Sequence, residues 1–93
     1  MVIEGIMQGK AGYNARKLQV LEYLASCYSC TARELASDLR LEIHNARILL
    51  RRYWKQGLLG RQKCETGEFV YYLTERGRKR LRFLERQFGW LGS

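Results

Sequence analysis

Between residues 14 and 28 apolar side chains recur every three or four positions. Leu18, Leu21, Leu24, Ala25 and Tyr28 fall on one face, which predicts a helix with one buried side, opened by Asn14 as its N-cap. Val20, Tyr23 and Cys27 make a second apolar stripe, and a helix with two such stripes is expected to meet a partner subunit as well as its own core. Thr31 with Glu34 three residues on has the capping-box spacing, so a second helix opens there, with Leu35, Ala36 and Leu39 on its buried side. Arg40 and Leu41 form a short turn. A third helix is predicted over residues 42–56, ending where Gly57 supplies a left-handed residue. From Leu58 the period shortens to two. Residues 58–64 and 68–73 read as strands around the turn Glu65-Thr66-Gly67, the second rich in β-formers (Phe69, Val70, Tyr71, Tyr72). Thr74 caps a last helix with Leu81, Leu84 and Phe88 along one side. Residues 1–13, with Gly5, Gly9 and Gly12, read as a flexible or strand-like arm.

The order helix, helix, helix, hairpin, helix is an α+β, mostly α, arrangement: a winged helix-turn-helix of three helices, a two-stranded wing and a C-terminal helix. It divides the chain into an arm (1–13), the winged domain (14–74) and a terminal helix and tail (75–93). The tail adds many large apolar groups, so Leu81, Leu84, Phe88 and Trp90, with Val20 and Tyr23 of the first helix, are the expected homodimer interface.

The third helix separates into two faces at about 100° per residue. Ala46, Leu49, Leu50 and Tyr53 fall together and point inward. His44, Ile48, Arg51 and Lys55 lie opposite, flanked by Asn45, Arg47 and Arg52. Charge gives that outer face its meaning. The 93 residues hold 17 Lys and Arg against 9 Asp and Glu, a net charge of +8, which favours a polyanionic partner. A helix that reads DNA needs cations and amides outward and an apolar group able to meet a thymine methyl. His44, Asn45, Arg47 and Ile48 are therefore the candidates for bases, and Arg51, Arg52 and Lys55 for the phosphate backbone. Arg61 and Lys63 on the wing, with Gln62 between them, are placed for the backbone or minor groove, although Glu65 and Glu68 near the tip oppose them. Arg33 of the second helix is placed for a phosphate. The basic run Arg76, Arg78, Lys79, Arg80, Arg82 and Arg86 on the last helix reads as a solvated face that adds a general positive field.

The stretch from Thr31 to Leu41, continued through Leu49-Leu50-Arg51-Arg52 to Gly57-Leu58-Leu59, resembles the winged helix-turn-helix of MarR-like and ArsR-like regulators. Tyr71-Tyr72-Leu73-Thr74-Glu75-Arg76-Gly77 is similar to that family's passage from wing to helix. A small basic chain of this kind is also similar to winged-helix proteins of archaeal viruses. The resemblance implies a dimeric transcriptional regulator bound to double-stranded DNA, with two recognition helices about 34 Å apart on a pseudo-palindrome. Two positions depart from the pattern. Arg40 stands where the turn usually has Gly, at a cost of about 1 kcal/mol. Glu42 replaces the usual Ser or Thr cap.

Cys27 and Cys30 have the CxxC spacing, and with Cys64 and His44 they could supply four metal ligands. His44, however, belongs to the DNA-facing side, so no metal is expected. The remaining readings are buried thiols, or a disulfide within or between chains drawn from Cys27, Cys30 and Cys64. The sequence has no paired-carboxylate motif, no glycine-rich phosphate loop and a single histidine, so no enzyme and no cofactor are expected. No apolar run approaches the ~20 residues of a membrane span. The N-terminus lacks signal-peptide character, so a cytoplasmic (for a viral protein, host-cytoplasmic) location is expected. An effector ligand is left open. The competing functional readings are a protein-interaction module and a non-specific architectural nucleic-acid binder.

Overall fold

A computed structural model describes the backbone of residues 10–92 and the side chains of residues 14–87. Its elements are α1 (Lys10–Cys27), β1 (Ser29–Thr31), α2 (Ala32–Leu39), α3 (Ile43–Lys55), β2 (Leu59–Lys63), β3 (Phe69–Leu73) and α4 (Glu75–Gly92). This is the winged helix expected from the sequence, with one strand more. β1 pairs antiparallel with β3 (Cys30 opposite Tyr71), so β3 is the centre of a three-stranded sheet in the order β1-β3-β2. A strand of three residues falls below the length at which alternation can be recognised, which is why it escapes a reading of the sequence.

α1 differs from expectation at both ends. It begins at Lys10 rather than Asn14, with Gly12 inside it; a helix interior tolerates glycine at about 1 kcal/mol. Residues 1–9 of the expected arm lie outside the described residues. At the other end Tyr28 is left-handed (φ 70°), which turns the chain out of α1 into β1 and leaves its ring 82% exposed instead of buried. Ala25 is exposed too. The buried face of α1 is Lys17, Val20, Leu21 and Leu24, rotated from the expected one. Val20 therefore lies in the chain's own core.

That core joins all four helices and the sheet. Leu21 and Leu24 of α1, Leu35 of α2, Leu50 and Tyr53 of α3, Leu59 of β2 and Leu84 of α4 are all completely or almost completely buried. Burial of each leucine is worth about 1.5–3 kcal/mol. Leu81 and Leu84 belong to this cluster, so they and Val20 are not surface available to a second subunit. The phenol of Tyr23 donates to Asp38 Oδ2 at 2.5 Å, tying α1 to α2. Phe88 and Trp90, the other expected interface residues, have side chains outside the described residues.

Local chemistry fixes the junctions around α2 and α3. Glu34 N–H donates to Thr31 Oγ1 (3.1 Å) and Thr31 N–H to Glu34 Oε1 (2.9 Å), a complete capping box. Thr31→Ala is expected to lower stability by about 1 kcal/mol, read as a lower urea midpoint at unchanged m. Arg40 adopts φ 56°, the left-handed turn predicted from the family pattern, while Leu41 N–H closes onto Ala36 O at 2.8 Å. Glu42 makes no side-chain cap, as its weak capping character suggests. α3 ends in a Schellman motif, with Gly57 at φ 80°, Gly57 N–H on Trp54 O and Leu58 N–H on Tyr53 O. Thr74 then fastens α4 to this corner. Its Oγ1 accepts from Gly77 N–H (3.0 Å) and lies 2.7 Å from Gly57 O and 3.0 Å from Leu58 O, its single proton serving these two carbonyls. Among the described residues no helix is long and apolar enough to cross a membrane.

Candidate nucleic-acid interface

The inner face of α3 is as expected: Ala46, Leu50 and Tyr53 are fully buried and Leu49 is half-buried against the core. This anchoring turns the opposite side outward. His44, Asn45, Arg47, Ile48, Arg51, Arg52 and Lys55 are all exposed along one helix, Ile48 at 41%. From Ile43 to Lys55 the helix contains no acidic residue. Among the described residues no carboxylate forms an ion pair with Arg47, Arg51 or Lys55. The face therefore offers cations, an amide, an imidazole and one apolar group to a ligand, the donor set that suits base edges and phosphates.

The sheet adds a second wall. Arg47, Arg51, Trp54 and Lys55 of α3 face Arg61 and Phe69 of the hairpin across an open groove of about 620 Å³. The hairpin register sets Arg61 opposite Tyr71 and Lys63 opposite Phe69, so Arg61 and Phe69 share a face as diagonal neighbours. At the tip Cys64 N–H bonds to Glu68 O (2.7 Å) and Gly67 N–H to Cys64 O (2.9 Å), with Gly67 at φ 92°.

Arg61 is held differently from the free wing cation expected. Its guanidinium lies 3.5 Å from the Trp54 ring centroid and 4.0 Å from that of Phe69. Such a cation sandwiched between two rings is restrained by quadrupole attraction on both faces. Trp54 and Phe69 are thus positioning residues that join wing to helix, and the sequence pattern alone did not single them out. Lys63 remains exposed at the outer end of β2, its Nζ 6.0 Å from the Phe69 ring. Arg33 is not free for a phosphate in this state; its Nε is 3.6 Å from Glu68 Oε2. Both partners are substantially exposed, so the pair is weak and a polyanion can compete for Arg33. It also engages the acid that would otherwise oppose the groove.

Cys30 is buried in the core on β1, the Cys27 thiol donates to Ser29 O at 3.3 Å, and Cys64 is exposed at the wing tip. All three are free thiols within the chain, so no pair among them is joined there; Cys30 is buried on β1, while Cys64 sits beyond the last ladder pair of the hairpin. Burial pushes the Cys30 thiol up to about 12, helped by the nearby Cys27, and burial also raises Cys27. Alkylation of the native protein near pH 8 is expected to label Cys64 first and Cys30 only on unfolding. Mass spectrometry of the labelled peptides checks that order. No cluster of three metal-binding side chains occurs among the described residues.

No family profile matches the chain, and no curated protein matches it in sequence. Solved structures do match in fold. A mutant MarR from E. coli complexed with operator DNA is 19% identical with a TM-score of 0.72, over 81% of this chain and 55% of that one. The YusO protein from Bacillus subtilis is 18% identical with a TM-score of 0.69, over 73% of this chain and 50% of that one. A MarR family transcription regulator, SP03579, is 19% identical with a TM-score of 0.76, over 98% of this chain and 66% of that one. The chain thus spans between half and two-thirds of the lengths of these three.

Proposed function

We propose that the chain is a regulator that binds double-stranded DNA sequence-specifically as a homodimer. α3 lies in the major groove, and the wing follows the backbone or the adjacent minor groove. The observation that supports this most is the acid-free outer face of α3, fixed outward by Ala46, Leu50 and Tyr53 and walled by the Arg61-bearing hairpin. The fold shared with MarR, one of whose structures holds operator DNA, agrees with it. In this reading His44, Asn45, Arg47 and Ile48 meet bases, while Arg51, Arg52, Lys55 and Lys63 meet phosphates. Arg61 braces the wing against Trp54, and Arg33 exchanges Glu68 for a phosphate. The chemistry is binding rather than catalysis, and the site of action is inside the cell, where duplex DNA is.

The dimer rests on the outer parts of α4. Phe83 is 44% exposed there, and Phe88, Trp90 and Leu91 follow it in sequence. With Val20, Leu81 and Leu84 committed to the core, the interface draws on this C-terminal segment.

Titration of a labelled duplex at several salt concentrations tests the reading. Five phosphate contacts per subunit predict a slope of log K against log salt of about −4 to −5 per subunit. A protein-interaction module would bind duplex weakly or not at all at low salt, and that result would remove the proposal. A non-specific architectural protein would show the slope without preference among sequences.

A further inference from the structure

At the C-terminal end of α3 lies a second concentration of positive charge. A pocket of about 500 Å³ is lined by Lys17, Lys55, Gln56, Leu58, Arg76 and Arg80. Four of the six carry positive charge and none carries negative charge. They come from three elements: Lys17 from α1, Lys55 from the end of α3, and Arg76 and Arg80 from the first turns of α4. Lys17 is the only charged residue among the described ones to be buried in the core region, at 5% exposure, and its Nζ lies 3.1 Å from Gln56 Oε1. A long cationic side chain ordinarily extends its head into water; this one is held inward along the pocket wall.

Two carbonyls at the end of α3 accept hydrogen bonds, Tyr53 O from Leu58 N–H and Trp54 O from Gly57 N–H, and Lys17 Nζ also lies 5.5 Å from the Tyr53 ring centroid. The Arg76 side chain lies across Gly57, so close that a Cβ at Gly57 would stand 3.4 Å from Arg76 Cδ. The start of α4 directs its positive dipole end to the same corner. Repulsion among four cations around one cavity falls when an anion enters, and guanidinium groups suit phosphate oxygens with two parallel hydrogen bonds.

We propose that this pocket binds an oxyanion of the phosphate class, gripped by Arg76 and Arg80 with Lys17 and Lys55 completing its neutralisation. The site stands independently of base reading by α3, although Lys55 belongs to both surfaces. The phosphate has two sources, a free phosphate compound or a backbone phosphate of a bound duplex, and the chemistry of the pocket is the same for both.

Calorimetric titration with pyrophosphate at constant ionic strength tests the site. Wild type is expected to give saturable binding at about one equivalent per chain. Arg76→Gln/Arg80→Gln is expected to weaken it at least about tenfold, the scale of two lost charge-assisted contacts. Arg82→Gln/Arg86→Gln removes the same charge from exposed positions farther along α4 and is expected to leave binding unchanged. Equal weakening by both double variants would show a general positive field and overturn the proposal, as would the absence of saturable binding by wild type. Lys17→Met tests the buried cation, but the arginine pair decides the matter if that variant fails to fold. Duplex titration then separates the sources. A weaker affinity and shallower salt slope for Arg76→Gln/Arg80→Gln assigns the site to the DNA backbone, and unchanged duplex binding assigns it to a free anion.

Discussion

Gly77→Ala is expected to destabilise the protein by about 3 kcal/mol or more, in the range of severe core overpacking. Gly77 is buried in the first turn of α4, against the corner where α3 passes into β2. A Cβ there would stand 2.0 Å from the backbone oxygen of Leu58 and 3.1 Å from Leu73 Cδ2. Leu58 O also receives the Thr74 N–H at 3.1 Å, so the carbonyl cannot swing aside without releasing the cap of α4. The expected fall in Tm is at least about 12 °C for a domain of this size. Gly60→Ala provides the contrast. Its Cβ would meet the Tyr72 ring at 2.4 Å, but that ring is 43% exposed and can move off the strand. Its cost is expected to stay below about 1.5 kcal/mol. Thermal unfolding of the two variants side by side checks this; similar Tm values would show that the α4 corner yields more readily than its geometry implies.

Arg47→Ala is expected to weaken duplex binding by about 5- to 150-fold, the equivalent of the 1–3 kcal/mol carried by a good base contact. Arg47 is exposed on the open side of α3 and lines the groove to the wing, and its removal should leave the fold unchanged because Ala46 and Leu50 anchor the helix. Arg82→Ala removes the same charge from exposed α4 and is expected to shift affinity less than about threefold, through the general field alone. Equal losses in the two variants would mean that total charge, not the α3 face, governs binding.

The architecture was legible because its junctions carry strong local signals. Thr31 with Glu34, Gly57 after an amphipathic run, and Thr74 before one each have a direct hydrogen-bonding or dihedral cause. The face of α3 was legible for the same reason, since a 3.6-residue period separates Ala46, Leu50 and Tyr53 from His44, Arg51 and Lys55. What escaped depends on tertiary placement. The left-handed Tyr28 has no glycine to mark it, and β1 is too short to show a period. Val20 and Leu81 looked surplus because the sequence does not show how closely α1 and α4 pack together. The clamp of Arg61 between Trp54 and Phe69 joins residues from a helix and both strands of the hairpin, and only the register of β2 on β3 brings them together. The Lys17 pocket is likewise assembled from three distant segments.

Selection from a pool of random duplex DNA at near-physiological salt tests the central claim most directly. The proposed dimer with α3 in the major groove predicts enrichment of two related half-sites about 10 base pairs apart in two-fold arrangement, with the enrichment lost on Arg47→Ala. Absence of any duplex binding, at low salt as well as physiological salt, would contradict it and assign the basic face of α3 to another kind of partner.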